Sequence, residues 1–284
     1  MDAIIKKADV LIEALPYIRA FRKKTIVIKY GGSILGEDSI RKGVLEDIVF
    51  LHFIGLRPVL VHGGGPNISE RMKTVGKKSE FHEGMRVTDA DTLAIVDEEL
   101  KKLNSLLVSE IKGLHAHASG LSGEKRNLIT VKRKKGKRDL GFVGDIQEIK
   151  FSSIKRVTAR DCIPVICPMG IGDDGLMYNI NADDVASAIA VGLKAEKFVL
   201  LTNVKGIMRN PHDPESLLST LKVDDAKALI KEGVIQEGMI PKVQACIKTE
   251  DGGVNKTHII DARIPHALLL EIFTDKGIGT EILT

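Results

Sequence analysis

Thr25-Ile-Val-Ile-Lys-Tyr-Gly-Gly32 and, further on, Pro58-Val-Leu-Val-His-Gly-Gly-Gly65 decide the fold. Each is a short apolar, β-branched run that ends in glycines and gives way to a helical pattern, over 39–54 in the first case and 69–75 in the second. In open α/β sheets, ligands bind in the crevice beyond the carboxyl ends of the strands. Glycine there lets backbone N–H groups approach an anion, and the following helix N-terminus adds a favourable dipole. One Gly-Gly pair is ordinarily a tight turn. Two clusters at equivalent places in successive strand–helix units point to anion binding. Lys29 directly precedes the first cluster; a strand-end lysine is ordinarily solvated, but this one is placed to put a cation over the same crevice.

Outward from these runs, strand and helix keep alternating. Helices are predicted over 89–112, 183–193, 224–232, 240–250 and 265–273, and strands over 115–119, 127–133, 142–150, 163–167, 197–202 and 256–261. This is the pattern of an α/β protein with a mainly parallel sheet. The stretch 127–150 breaks the alternation and reads as an antiparallel excursion. Ahead of the first strand, Ile4, Ile5, Ala8, Leu11, Ile12 and Leu15 recur at helical spacing over 3–15, with Pro16 near the end. That apolar stripe must pack on its own domain or on another subunit. A soft boundary near 175–180 rests on the Gly/Asp cluster from Gly170 to Gly175.

Composition excludes several classes. The 284 residues are 43% hydrophobic, enough for a substantial core, and a net charge of +4 makes no case for a nucleic-acid partner. Cys162, Cys167 and Cys246 show no C-x-x-C spacing and suit a reducing compartment. No apolar stretch is long enough to span a bilayer, and the first ten residues match neither a secretory signal nor a transit peptide. A cytoplasmic location with no membrane partner is expected.

Familiar chemical motifs fail. There is no G-x-x-x-x-G-K-[ST] run, no H-E-x-x-H or Cys/His cluster for a metal, and no G-x-S-x-G elbow. Gly170, Gly172 and Gly175 satisfy G-x-G-x-x-G, but Leu176-Met-Tyr-Asn179 follows where a helix should open, and Asp173-Asp174 would repel a pyrophosphate. That match reads as a decoy. Lys132 to Arg138 (KRKKGKR) has no interleaved aromatics and reads as a solvated hairpin tip.

Six motifs carry a family resemblance: Lys29-Tyr-Gly-Gly32, His62-Gly-Gly-Gly-Pro66, Gly84-Met-Arg-Val-Thr-Asp89, Tyr178-Asn-Ile-Asn-Ala-Asp183, Leu200-Leu-Thr-Asn-Val-Lys-Gly206 and Gly238-Met-Ile-Pro-Lys242. Each alone is weak; in this order and spacing they make the chain resemble the amino-acid kinase superfamily, and within it the N-acetyl-L-glutamate kinases, over essentially its full length. The resemblance implies a three-layer αβα sandwich around a mainly parallel sheet. It implies an N-terminal helix over 1–20 used in oligomerisation, an acyl-amino-acid half over 21–178 and a nucleotide half over 179–284. The implied reaction moves the γ-phosphoryl group of ATP, bound with Mg²⁺, to the γ-carboxylate of N-acetyl-L-glutamate in arginine biosynthesis.

The chemistry fits the residue types. A carboxylate nucleophile with an ordinary pKa of about 4.3 is already ionised, so no general base is required. The obstacle is repulsion between anions, roughly 4 kcal/mol for two unit charges about 4 Å apart at an effective dielectric near 20. Positioning and fixed positive charge must do the catalysis. The resemblance assigns that charge to Lys29 and Lys242, oriented by Asp183. It places Gly31 and Gly32 at the phosphoryl group, and Gly64, Gly65, Arg86 and Asn179 at the substrate, Arg86 on its α-carboxylate. Without the motif around them, Arg86 would be a surface charge, Lys242 a helix-start lysine, and Asn181 or Asp183 a helix cap.

For the nucleotide turn it names Thr202, Asn203, Val204, Lys205 and Gly206, with Asn203 standing where the family commonly has Asp. Family members that carry the N-terminal helix resemble ring-like hexamers, trimers of dimers, inhibited by arginine. Tyr17, Lys197, His258, Glu271 and Gly277 occupy the matching effector positions. A PII-type nitrogen regulator has no motif in its favour. Two alternatives stand beside this expectation: a sister kinase for acetylaminoadipate or another acidic amino acid, and a non-catalytic arginine or nitrogen sensor. Arg86 with Asn179 opposes an aspartate substrate, and intact Lys29, Lys242 and Asp183 oppose lost catalysis.

Overall fold

The computed structural model describes residues 1–123, 128–136, 138–210, 213–274 and 277–283. The N-terminal part runs α1 (Asp2–Phe21), β1 (Thr25–Tyr30), α2 (Gly32–Leu35), α3 (Asp38–Phe53), β2 (Arg57–His62), α4 (Gly65–Thr74), β3 (Phe81–His82), β4 (Met85–Arg86) and α5 (Ala90–Gly113). Next come β5 (Ala118–Leu121), β6 (Ile129–Arg133), β7 (Gly144–Ile149), α6 (Phe151–Thr158), β8 (Ile163–Ile166), β9 (Met169–Gly172) and β10 (Met177–Asn179). The remainder is α7 (Ala182–Leu193), β11 (Lys197–Thr202), β12 (Thr220–Lys222), α8 (Val223–Lys231), α9 (Ile240–Asp251), β13 (Thr257–Asp261), α10 (Ala267–Phe273) and β14 (Thr280–Leu283).

Eight strands form one sheet in the order β12-β14-β13-β11-β1-β2-β8-β5, parallel throughout except for the β13–β14 pair. Strands β8, β11 and β13 are buried along their whole length, as a sheet covered on both faces demands. On one face Val27, Val59, Phe198 and Leu200 pack with Val185 and Ile189 of α7 and Val243 and Ile247 of α9. On the other, Ile26, Ile28, Leu60 and Val199 meet Leu45 and Ile48 of α3, Leu107 and Ile111 of α5, and Leu268 and Ile272 of α10. The result is the expected αβα sandwich.

Strand β1 lies between β2 and β11. The chain leaves β1 toward β2 on one side and returns to pair with it as β11 on the other. A crevice opens at such a switch point, beyond the carboxyl ends of the strands.

A second sheet, ordered β10-β9-β6-β7, contains the antiparallel excursion. Gly170 and Gly172 lie in β9, and Gly175 takes φ +76° in the β9–β10 hairpin turn. Asp174 caps that turn, accepting from the Tyr178 hydroxyl at 2.6 Å and from Leu176 N–H at 3.0 Å. The G-x-G-x-x-G match is therefore a hairpin, and no helix opens from it. In the basic run, Arg133 pairs with Asp139, Lys134 with Asp145 and Arg138 with Glu80. Lys137 and residue 127 lie outside the described residues, as do the side chains of Ile4 and Ala8.

The N-terminal helix departs from expectation in length. It continues through Pro16 to Phe21. A proline forfeits one helical hydrogen bond without obliging the helix to stop. Here the last turn is anchored from outside, because the Tyr17 ring meets Phe273 edge-on at 6.1 Å and Lys197 Nζ lies 5.3 Å over the Phe21 ring. Upstream, Val10, Leu11 and Ile12 are exposed.

Strands β3, β4, β9, β10, β12 and β14 are too short for an apolar period and are not foreseen in the sequence. Cys167 and Cys246 are buried free thiols, pushed up to about 12 by burial. Among the described residues no helix is long and apolar enough to cross a membrane.

Because the central strands are buried on both faces, truncation on either face should be costly. Ile28→Ala should cost about 2–5 kcal/mol and Phe198→Ala about 3–5 kcal/mol in urea unfolding. A loss confined to one of the two variants would contradict the three-layer packing.

Candidate active site

Lys29, at the buried end of β1, reaches Asp183 at the start of α7, with Nζ 2.6 Å from Oδ1. Lys242, in the first turn of α9, reaches the other oxygen of the same carboxylate at 3.7 Å. Asn181 caps α7 by accepting from Asp183 N–H at 2.7 Å, so it fixes the turn that presents the carboxylate. Burial pushes the Asp183 carboxyl up, but the two ammonium groups outweigh it and hold the group below the usual aspartate value. Burial, assisted by the nearby Lys29 charge, holds Lys242 below an ordinary lysine.

This ion triad sits in a cleft of about 300 Å³. The walls include Gly31 and Gly32 after β1, Gly63, Gly64 and Gly65 after β2, Thr202 and Asn203 after β11, and Arg86 and Asn179 from the smaller strands. The two glycine loops touch. A Cβ on Gly32 would lie 2.8 Å from Gly65 N and 3.0 Å from Gly64 N, and one on Gly31 would lie 2.9 Å from Leu201 O. Any side chain at Gly32 would force the loops apart, so this close approach of two backbones explains the glycines.

Arg86 is buried and anchored. Nη1 donates to Ser79 Oγ at 2.8 Å, while Nη2 donates to Ser69 Oγ at 2.7 Å and to Gly65 O at 2.9 Å. The Phe81 ring lies 4.6 Å from its guanidinium carbon. Asn179 Nδ2 donates to Thr88 Oγ1 at 3.4 Å.

A second cavity of about 410 Å³ adjoins the cleft, and the two share Asn203 and Lys242. Val204, Gly206, Ile207, Met208, Val234, Ile235 and Met239 give it an apolar wall. The turn into it is set by Thr202 Oγ1, which accepts from Val204 N–H at 3.1 Å, and by Gly206, whose φ of +143° disfavours a side chain and where an added Cβ would lie 2.6 Å from Thr280 Oγ1.

A profile of the amino acid kinase family covers residues 24–261. The chain is 48% identical to the acetylglutamate kinase of Heliobacterium modesticaldum over 98% of both chains, and 48% identical to that of Desulforamulus reducens over the whole of both. It belongs to the acetylglutamate kinase family.

Solved structures agree on the fold. The chain superimposes on an N-acetylglutamate synthase from Neisseria gonorrhoeae, complexed with coenzyme A and N-acetyl-glutamate, with a TM-score of 0.88 and 26% identity. The match takes in 98% of this chain but spans only 63% of the synthase. A carbamate kinase from Giardia lamblia shares the fold at 18% identity, with a TM-score of 0.66 over 92% of this chain and 98% of the other.

Most of the residues singled out in the sequence thus converge. Lys29, Gly31, Gly32, Gly64, Gly65, Arg86, Asn179, Asp183, Thr202, Asn203 and Lys242 line the cleft, and Asn203, Val204, Gly206 and Lys242 line its neighbour. Lys205 lines neither, so its place in the nucleotide turn does not make it a wall residue. Gly63, Ser69, Ser79 and Phe81 were not foreseen. Gly63 belongs to a recognised run, but the serines and the ring reach Arg86 only through tertiary packing.

The expected effector positions also gather, away from the cleft. His258 Nδ1 lies 2.7 Å from Glu271 Oε1, Lys197 Nζ lies 3.4 Å from His258 Nε2, and a Cβ on Gly277 would lie 2.8 Å from Glu271 Oε2. Tyr17 approaches through its contact with Phe273 in α10. Glu271 is already engaged, since its second oxygen accepts from Ile278 N–H at 2.7 Å and Gly279 N–H at 3.3 Å. Burial pushes this carboxyl up; His258 and the two amides outweigh it and keep it below its usual value.

Asp183→Asn would leave the buried Lys29 and the half-buried Lys242 without their counter-ion, a loss of about 3–5 kcal/mol at neutral pH. The folded carboxyl titrates below an unfolded aspartate at about 3.9, so its contribution is complete above that value and lost as the pH falls through the folded value. Urea midpoints of wild type and variant should therefore differ by a constant amount down to about pH 4 and converge below it. Midpoints equal at pH 7 would contradict the assigned ion triad.

Proposed function

We propose that this protein transfers the γ-phosphoryl group of ATP to the γ-carboxylate of N-acetyl-L-glutamate, in arginine biosynthesis. The observation that carries the reading is the single buried carboxylate of Asp183 holding Lys29 at 2.6 Å and Lys242 at 3.7 Å over two touching glycine loops. Its relatives are acetylglutamate kinases over their full length.

The acyl amino acid occupies the polar cleft, with its α-carboxylate on Arg86 and its acetamido region near Asn179. A planar guanidinium can meet a carboxylate with two parallel hydrogen bonds, for which Arg86 must exchange some of its bonds to Ser69, Ser79 and Met72. The adenine end of ATP lies in the apolar cavity, and the phosphates pass the shared wall at Asn203 and Lys242. Mg²⁺ would enter with the nucleotide, carried on its phosphates. When bound it neutralises phosphate charge.

A γ-carboxylate oxygen then forms a bond to the γ-phosphorus while the bond to the bridging oxygen of ADP breaks. No proton need move. Lys29 stabilises the transferred group, Lys242 the leaving side, and the amides of Gly31, Gly32, Gly64 and Gly65 the peripheral oxygens. Asp183 fixes both lysines and touches neither reacting atom. The division into an acyl-amino-acid half over 21–178 and a nucleotide half over 179–284 is supported by the apolar cavity, lined by residues 203–242, and by the polar cleft, which takes most of its wall from residues 29–168 and the rest, Asn179 included, from the second half.

Regulation is part of the proposal. The exposed apolar stripe of α1, with Leu11 68% exposed, supports a role in joining dimers into a hexamer, a trimer of dimers. Arginine would act where α1 meets α10, at Tyr17, Lys197, His258, Glu271 and Gly277. Glu271 already accepts three hydrogen bonds, so the guanidinium must displace or share them. Those bonds tie the end of α10 to the start of β14, and their exchange would move the helix joint. A cytoplasmic location completes the proposal.

Two experiments test these assignments. ATP-dependent acyl-phosphate formation, trapped with hydroxylamine, should favour N-acetylglutamate over glutamate, aspartate and acetylaminoadipate. No turnover on any of them would refute the kinase reading, and preference for another acid would refute the substrate. In the same assay Lys29→Ala should lower kcat by about 10²–10³-fold while changing KM little. Separately, deleting residues 1–20 should abolish arginine inhibition and reduce the assembly in size-exclusion chromatography; a truncated protein still inhibited would rule out the α1 joint.

A further inference from the structure

His62 is fully buried at the end of β2, immediately before the glycine loop, and the chemistry described above does not use it. Both ring nitrogens are engaged. Nδ1 lies 3.1 Å from Gly63 O, and Nε2 lies 3.0 Å from Asn104 Nδ2 in α5. The same Asn104 Nδ2 lies 3.0 Å from Val165 O of β8.

These contacts admit one protonation state. Val165 O can only accept, so the Asn104 atom facing it is the amide nitrogen, a donor. Nε2 of His62 must then accept, the ring proton resides on Nδ1, and Gly63 O receives it. A doubly protonated ring would lose the Asn104 bond. Burial agrees, pushing the imidazole pKa down to about 4. Space for Asn104 comes from Gly120 of β5, where a Cβ would fall 2.1 Å from Asn104 Oδ1.

The bond to Gly63 O has a consequence one atom further along the chain. In a trans peptide the carbonyl and the next N–H point in opposite directions. Gly63 N–H is itself held, donating to Tyr30 O at 3.0 Å. With both sides of Gly63 tied, the Gly63–Gly64 peptide plane is fixed and the Gly64 N–H is aimed away from His62. Gly64 N donates to no acceptor among the described residues, and it lies on the side of Gly32 and the cleft.

We propose that His62, held by Asn104, is a positioning residue for acyl-phosphate formation: it fixes the Gly63–Gly64 peptide so that the Gly64 N–H points at the oxygens on which charge builds. The proposal rests on the kinase reading above. A neutral histidine suits this post because it delivers one directed donor without adding charge beneath the loop.

The tests combine kinetics with a measurement independent of activity. His62→Phe, which keeps the ring but removes both polar atoms, should lower kcat by about tenfold, part of the 10²–10³-fold that loss of a whole such donor costs. KM for N-acetylglutamate should stay within about threefold. His62→Asn, whose amide can donate from near the Nδ1 position, should restore kcat to within about threefold of wild type. Equal kcat values for the two variants would overturn the proposal. In the wild-type protein, nitrogen NMR of His62 should show the proton on Nδ1 and a bare Nε2, unchanged from pH 8 to 5.5; a proton on Nε2 would overturn it irrespective of folding in the variants. Absence of wild-type turnover would count against the kinase reading alone, and the tautomer would still decide how His62 is bonded.

Discussion

One buried carboxylate shared by two ammonium groups is the constraint on which the site depends. Lys29 comes up from a central strand, while Asp183 and Lys242 come from the first turns of two helices that cover the same face of the sheet. Two positive charges so close would be prohibitive in a buried crevice without a counter-ion. Asp183 supplies it, and the three groups together retain one net positive charge. That excess is aimed at the space where an anion must pass. The glycines serve the same end by letting backbone dipoles approach where a side chain would stand in the way.

The frame that brings these groups together was legible in the sequence wherever a pattern was long enough. Strands β1 and β11 read correctly because a strand buried on both faces is a continuous apolar run, and the glycines that close β1 and β2 marked the ends that matter. The hairpin holding Gly170 and Gly175 could be set aside because Asp173 and Asp174 lie within it and Leu176-Met-Tyr-Asn179 follows where a helix should open. What escaped has a common physical origin. Strand β14 pairs antiparallel with β13 at the far side of the sheet, and four residues carry too little periodicity to announce that. Pro16 suggested an end to α1 that packing on Phe273 overrides. Ser69 and Ser79 are ordinary polar residues until the chain folds Arg86 between them.

Arg86 joins two parts of the site that the motifs present separately. Its guanidinium donates to the Gly65 carbonyl while the amide nitrogen of Gly65 faces Gly32. The group proposed to hold the amino-acid end of a substrate therefore braces the loop proposed to meet the phosphoryl end. His62 braces the same loop from beneath. A segment of three glycines, intrinsically the most mobile kind of backbone, is pinned at its first carbonyl and at its last.

The two cavities meet at Asn203 and Lys242, and this shared wall couples their occupants. A ligand in either space that orders the Lys242 side chain lowers the entropic cost for a ligand in the other, and linkage makes that assistance mutual. Under the proposed assignment of the two substrates, affinity for one would then be a property of the pair, rising with the concentration of its partner.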